Sequence, residues 1–221
     1  MNQYPFDEKI ATPLCEIMGR NKSDKGAVTI NKSWHNYTTF YYSIFKDIRY
    51  DSLKIFELGV GTNNVNIPCN MGINGRPGAS LYGWAEFFEN SKIYGADIDK
   101  AILFNTDRIK TFYCDQTNKA IVDSMWNEKE LEGQFDIIID DGYHNFYANV
   151  SFFENSVNKL VNGGFYIVED INNQGLSYFR NKIVEWKATY PDLTFALIQI
   201  PSTTNSNDNN LMVVKNTRNL R

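Results

Sequence analysis

Five short apolar runs, 54–58, 92–97, 110–114, 135–140 and 164–169, are nearly continuous in hydrophobicity. Strands read this way when both faces of a sheet are covered. Between and around them lie stretches of helical character, about 37–49, 80–90, 118–130, 145–160 and 175–190. The alternation confines the chain to an α/β architecture, with a mostly parallel sheet and helices on both faces. Two further runs, 194–200 and 211–215, are joined by the polar, turn-rich segment 202–210. They read as an antiparallel hairpin completing a sheet of seven strands.

The 221 residues suit a single domain over 1–221, with no internal repeat and no interdomain linker. A net charge of −4 gives no reason to expect nucleic acid or an anionic membrane as partner. No apolar run approaches the roughly 20 residues that span a bilayer. The first ten residues lack the basic-then-apolar order of a secretion signal. The expected location is the cytoplasm. Cys15, Cys69 and Cys114 are scattered and form no CxxC pair, so they indicate neither a zinc site nor a disulfide framework.

Two segments stand outside the alternation. Residues 1–36 form an N-terminal cap segment with a polar cluster at 19–26, and residues 62–79 form a long loop rich in Asn, Gly and Pro. Long loops inside compact domains are commonly functional, so this one is expected to be a lid or a substrate wall. Ser80 is the expected N-cap of the helix that follows. Tyr37, Phe40, Tyr41 and Phe45 fall near helical spacing and are expected to form a buried face.

The first strand runs into Glu57-Leu58-Gly59-Val60-Gly61, and the second ends in Asp97. Glycine allows close approach of a backbone to a ligand, and an acid at the next strand tip can accept hydrogen bonds from ribose hydroxyls. The third glycine of a dinucleotide fingerprint is absent, Asn64 standing in its place. Glu57 beside the turn also suits a cation better than a diphosphate. S-adenosylmethionine carries an amino group and a sulfonium and no phosphate.

On these residues the chain resembles the class I S-adenosylmethionine-dependent methyltransferases over essentially its whole length. The resemblance implies a Rossmann-like fold, and the final hairpin matches that family's characteristic sheet edge. It implies that Glu57, Gly59 and Gly61 hold the methionyl and ribose part, that Asp97 binds the ribose, and that Asp115 with Gln116 reads the adenine.

The fourth strand ends in Asp140-Asp141-Gly142-Tyr143-His144 and the fifth in Glu169-Asp170. Adjacent parallel strands bring four carboxylates and an imidazole to one edge. Such crowding is relieved by a cation or shared protons, and a hard divalent ion such as Mg²⁺ prefers oxygen ligands. These residues resemble the metal-dependent macrolide and sugar O-methyltransferases. That resemblance implies Asp141, Glu169 and Asp170 as metal ligands and His144 as general base, with Asp141 also essential to catalysis. Asp140 receives no role from it and is expected to support the site by orienting His144. Relatives carry a polar segment like Asp24, Lys25, His35 and Tyr37 over the cofactor pocket; helix-start packing accounts for these residues equally well.

The leading expectation is methyl transfer to a metal-bound hydroxyl of a sugar or glycan precursor, with a small-molecule or sugar-nucleotide acceptor. A phosphate or phosphoramidate oxygen is an alternative acceptor, but only Arg76 and Lys25 are basic candidates for it. A nucleotide-dependent oxidoreductase and a non-catalytic cofactor-binding domain are readings of other classes. A homo-oligomeric assembly stays open.

Overall fold

The computed structural model describes residues 2–3, 10–26 and 34–218. Its strands are β1 (Asn2–Gln3), β2 (Lys54–Leu58), β3 (Lys92–Asp97), β4 (Ile109–Tyr113), β5 (Phe135–Asp140), β6 (Leu160–Val168), β7 (Leu193–Gln199) and β8 (Asn210–Asn216). They form one sheet in the order β1-β7-β8-β6-β5-β2-β3-β4. Strands β6, β5, β2, β3 and β4 are mutually parallel. Strand β8 runs antiparallel to both β6 and β7. The seven expected strands are therefore present with their hairpin. The additional two-residue β1 pairs parallel with β7 and comes from the cap segment, where no strand was expected.

The helices are α1 (Pro13–Arg20), α2 (Thr38–Phe45), α3 (Ala79–Phe87), α4 (Lys119–Trp126), α5 (Phe146–Ser156) and α6 (Asn173–Thr189). Helix α1 also lies in the cap segment. Its start combines Pro13 with Thr12, whose side chain accepts the Cys15 N–H, a pairing that suits a first turn. The rest of the cap segment, residue 1, 4–9 and 27–33, is outside the described residues. No helix among those described is long and apolar enough to cross a membrane.

Period-two alternation along the strands sorts the core into two layers. Ile55, Ile93, Ile137, Ile139 and Ile167 pack with α1, α2 and α3, and the expected face of Tyr37, Phe40, Tyr41 and Phe45 lies in this layer. Phe56, Leu58, Tyr94, Ile138 and Val168 pack with α4, α5 and α6. The same alternation assigns the strand-end acids. Glu57 is in phase with Ile55, and Asp141 and Glu169 are in phase with Ile139 and Ile167, so all three fall on the side of α1–α3. Asp140 is in phase with Ile138 and falls on the side of α5.

The expected cap at Ser80 is corrected. Helix α3 starts after Gly78, which has φ 77° and gives no side-chain cap. Ser80 lies inside the first turn, and its hydroxyl donates to Glu57. A buried carboxylate at hydrogen-bond distance is a stronger acceptor for that hydroxyl than any solvated alternative.

Gly59 is required by packing as well as by backbone angle. Its φ is 92°, and a Cβ there would lie 1.9 Å from the carbonyl oxygen of Asp141. Gly59→Ala should destabilise the fold by about 3 kcal/mol or more, from left-handed strain and overpacking together. Each kcal/mol lowers Tm by about 2–4 °C in a chain of this size, so thermal unfolding checks the prediction.

Candidate active site

Strand β2 has β3 on one side and β5 on the other, so chain order reverses there. Ligands of open α/β sheets bind in the crevice at the carboxyl ends of such a switch point. A cavity of about 520 Å³ opens at this place, within the range of small-molecule and cofactor sites. Gly59 and Gly61 line its floor, Asp97, Asp115 and Gln116 one side, and Asp141, His144 and Asp170 the other. Residues 67–71 of the long loop form a wall. That loop is fastened at both ends, Met71 N–H donating to the Thr62 carbonyl and Gly78 N–H to the Val60 carbonyl.

On the β3 side, Asp97 accepts the N–H groups of Val60 and Asp99, each at 2.8 Å. Burial raises its carboxyl above the ordinary value although backbone donors oppose it. Asp115 accepts both the N–H and the hydroxyl of Thr117. Gln116 turns away from solvent. Its Nε2 donates to both oxygens of Asp140 at 2.8 and 2.9 Å, and its Oε1 accepts the Tyr143 N–H at 2.8 Å. This ties the 115–117 turn to the turn carrying Asp141 and His144. Asp140 takes a further hydrogen bond from Asn149 at 3.0 Å, and burial pushes its carboxyl up to about 6. Its partners are these amides and the Gly142 N–H, not His144, because strand alternation directs it toward α5.

On the β5–β6 side, the residues expected at the cofactor and the metal separate into two groups. Asp141, His144 and Asp170 face the cavity. His144 Nε2 lies 3.3 Å from Asp141 Oδ1, and its Nδ1 lies 3.4 Å from Asp170 Oδ2. Burial pulls the imidazole pKa down, but the two carboxylates outweigh it and hold the ring well above its ordinary value. His144 and Asp170 have φ of 52° and 55°, left-handed strain of the kind that gathers at working sites. Asp170 Oδ1 accepts the Tyr37 hydroxyl at 2.7 Å and has His35 Nε2 3.4 Å away. The His35 ring stacks on Tyr37, with centroids 4.8 Å apart. The polar cap residues therefore reach the site itself.

Glu57 and Glu169 lie beneath, and neither lines the cavity. Glu57 is fully buried and accepts from Ser80 and from the Trp84 indole on α3. Glu169 accepts the Tyr41 hydroxyl with one oxygen and Lys25 with the other. Lys25, only 2% exposed, also donates to Asp141 Oδ2 at 2.6 Å, with Glu57 Oε1 3.9 Å away. Burial pulls the ammonium down, but Asp141, Glu169 and Glu57 together hold it charged, well above its usual pKa. Asp141 shows the reverse balance. Burial pushes its carboxyl up, and Lys25 and His144 bring it below the ordinary value. A central role for Lys25, and the part of Tyr41 and Trp84 in holding the acids, were not assigned from sequence. The signal was strand parity, which puts three acids on the side from which Lys25 arrives.

Asp141, His144 and Asp170 each offer one ligand atom, and the three atoms lie within 4.8 Å of one another. The two carboxylate oxygens suit a hard divalent ion, and the imidazole nitrogen stands beside them. Of the lysines and arginines among the described residues, only Lys25 lines the cavity, and it is engaged by acids. The cavity fits a phosphate-free cofactor better than a dinucleotide.

Cys69 is exposed on the long loop, whereas Cys15 and Cys114 are buried. Burial pushes the Cys114 thiol up to about 12, so at pH 8 it holds almost no nucleophilic thiolate. A thiol reagent at pH 8 should titrate one cysteine in the native protein and all three after unfolding.

No family model matches the chain. It is 30% identical over 159 residues to the 8-demethyl-8-(2-methoxy-alpha-L-rhamnosyl)-tetracenomycin-C 3'-O-methyltransferase of Streptomyces olivaceus, covering 72% of this chain and 36% of the relative. It is 33% identical over 141 residues to mycinamicin VI 2''-O-methyltransferase of Micromonospora griseorubida, covering 62% of this chain and 32% of the relative. The chain thus matches about a third of the length of these relatives. In three dimensions it is similar to the MycE methyltransferase from the mycinamycin biosynthetic pathway in complex with Mg and SAH. The TM-score is 0.69 at 24% identity, covering 95% of this chain and 56% of that one. That likeness is one of fold, including the antiparallel final hairpin.

Proposed function

We propose, for a chain that has the class I methyltransferase fold and is related to the macrolide and sugar O-methyltransferases, that it moves a methyl group from S-adenosylmethionine to a sugar hydroxyl with the help of a divalent cation. The acceptor is a sugar on a small molecule or a glycan precursor. The observation that carries this reading is the meeting of Asp141, His144 and Asp170 over a cavity whose other side holds Asp97. The relatives' names support it: both are O-methyltransferases, and one of them names a rhamnosyl compound.

When bound, the cation would supply a Lewis acid that lowers the acceptor hydroxyl's pKa, and S-adenosylmethionine the electrophilic methyl carbon. The chain's own groups do the rest. Asp97 has both oxygens fixed by backbone N–H groups and keeps lone pairs for ribose hydroxyls. Gly59 and Gly61 leave the floor open to the methionyl part. Asp141 and Asp170 would hold the cation. A cation on Asp141 and Asp170 would neutralise the two carboxylates that otherwise hold the His144 proton, and the imidazole so released can take the acceptor proton on a ring nitrogen. Residues 67–71 cover the reacting centre and exclude water. Trp34 and Tyr143 line the mouth and remain partly exposed, two aromatic surfaces against which a sugar ring can lie.

The test measures S-adenosylhomocysteine affinity by calorimetry and its release against a panel of glycosides and nucleotide sugars, with and without chelator. Micromolar affinity, and turnover that chelation abolishes and Mg²⁺ restores, are expected. Undiminished transfer after chelation would remove the cation from the reaction. Failure to bind S-adenosylhomocysteine would remove the methyltransferase reading altogether.

A further inference from the structure

Gln116 stands at the joint between the two halves of the cavity. It follows Asp115 at the end of β4, yet its amide lies against the turn that carries Asp141 and His144. We infer that Gln116 is a positioning residue: anchored on Asp140, it braces the 141–144 turn and sets where Asp141 and His144 stand relative to the cofactor. The inference rests on the methyltransferase and divalent-cation readings above and goes beyond them by naming the side chain that fixes the turn.

Four observations converge. The polarity of the contact is forced. Gln116 Nε2 meets both oxygens of Asp140, and its Oε1 meets the Tyr143 N–H. A carboxylate only accepts and a backbone N–H only donates, so the side chain between them must offer one donor and one acceptor. A carboxylate or an apolar group of the same length cannot do both. The contact is also buried. Gln116, Asp140 and Asn149 are 5%, 0% and 3% exposed, so a lost partner leaves an unsatisfied group that water does not rescue. Neutral donors hold the Asp140 carboxylate: Gln116, Asn149 of α5 and the Gly142 N–H. The turn is shaped to fit. A Cβ at Gly142 would lie 2.4 Å from Gln116 Oε1 and 3.1 Å from Leu58 Cδ2. Gly142 is not left-handed, so glycine is needed here for close approach and not for backbone angle.

The fourth observation is where the brace acts. The ends of the turn are held by the Asp141 N–H, which donates to the Leu58 carbonyl at 2.9 Å, and by Asn145, which caps α5. Gln116 holds the middle, on the residue immediately before His144, whose own φ is 52°. Misplacing a reacting group by about 1 Å can cost on the order of 10²-fold in rate. A slack turn would move His144 and Asp141 together.

The experiment measures Mn²⁺ affinity by paramagnetic resonance of the free ion, S-adenosylhomocysteine affinity by calorimetry, and Tm. It compares the full chain with Gln116→Met, Gln116→Glu and the exchange variant Gln116→Glu/Asp140→Asn. Each single substitution should weaken Mn²⁺ binding about 10–100-fold, the loss that follows removal of a group supporting a ligand, and change S-adenosylhomocysteine affinity by less than about threefold. In the exchange variant the carboxylate and the amide trade places and each donor again meets an acceptor, so Mn²⁺ affinity should recover most of the loss seen in Gln116→Glu. With an acceptor found in the panel above, kcat should fall alongside Mn²⁺ affinity, and KM for S-adenosylmethionine should not rise. Unchanged Mn²⁺ affinity in folded Gln116→Met, whatever its Tm, would leave Gln116 a packing role and overturn the inference. A larger loss of S-adenosylhomocysteine affinity than of Mn²⁺ affinity would make it a cofactor ligand and overturn it too. Should Gln116→Met fail to fold, Gln116→Glu against the exchange variant still decides, and no recovery there overturns the brace. If the unsubstituted chain takes up no Mn²⁺, the cation reading itself fails, and this inference with it.

Discussion

Lys25→Met is expected to lower stability by about 3–5 kcal/mol, because removing one partner from a buried charge cluster strands the others. That corresponds to a fall in Tm on the order of ten degrees. The effect is large because Lys25 is 2% exposed and serves Asp141 and Glu169 directly and Glu57 at 3.9 Å. The deficit should depend on pH with a definite sign. Burial already raises the Glu169 and Glu57 carboxyls, with Lys25 opposing. Without the ammonium their folded-state values rise further. An acid whose folded pKa exceeds its unfolded one binds more protons when folded, so stability increases as pH falls through the folded value. The gap between Lys25→Met and the parent should therefore narrow from pH 7.5 to pH 5.5. Thermal unfolding at both values reads it. A variant within a degree of the parent at pH 7.5 would mean that the three acids are not held by this charge.

His144→Ala should cost about 10²–10⁴-fold in kcat, the usual contribution of a positioned general base. Affinity for S-adenosylhomocysteine should stay close to that of the parent, because His144 stands on the β5–β6 side of the cavity and Asp97 on the other. Asp141→Ala should lose turnover as well, and it should also lose Mn²⁺ binding, since Asp141 offers one of the carboxylate oxygens that converge at the cavity. Stopped-point assays of S-adenosylhomocysteine release, paired with calorimetry for both ligands, separate these outcomes. Full activity in His144→Ala would assign the proton to another group. His35 is the other imidazole at the cavity, 3.4 Å from Asp170.

The strand pattern was legible because buried parallel strands leave a continuous apolar signature. Strands β2, β3 and β5 have the expected limits, 54–58, 92–97 and 135–140. Strand β6 starts earlier than expected, at Leu160. Its first residues, Val161, Asn162 and Gly163, are more exposed than the buried stretch that carries the signal. Helix α1 and strand β1 escaped notice because they are short and lie in a segment of mixed composition, where helical periodicity has too few turns to register.

At the site, residue types were legible and orientations were not. The acids at 57, 97, 115, 141, 169 and 170 all stand near the carboxyl edge of the sheet. Which of them reach the cavity depends on strand phase and on two left-handed residues, His144 and Asp170. Glu57 was expected at the cofactor. It instead accepts from Ser80 and Trp84, because its phase matches Ile55 and turns it toward α3.

The chain's own order of residues determined the sheet, the glycine turn after β2 and the gathering of acids on one rim, since these follow from hydrophobic period and from parallel strands sharing a direction. Tertiary structure alone decided that a lysine from the cap segment sits among those acids and parts them into a sealed layer and an accessible one. Long-range charge pairing across 116 and 144 residues leaves no local trace in a sequence, whereas strand burial is written residue by residue.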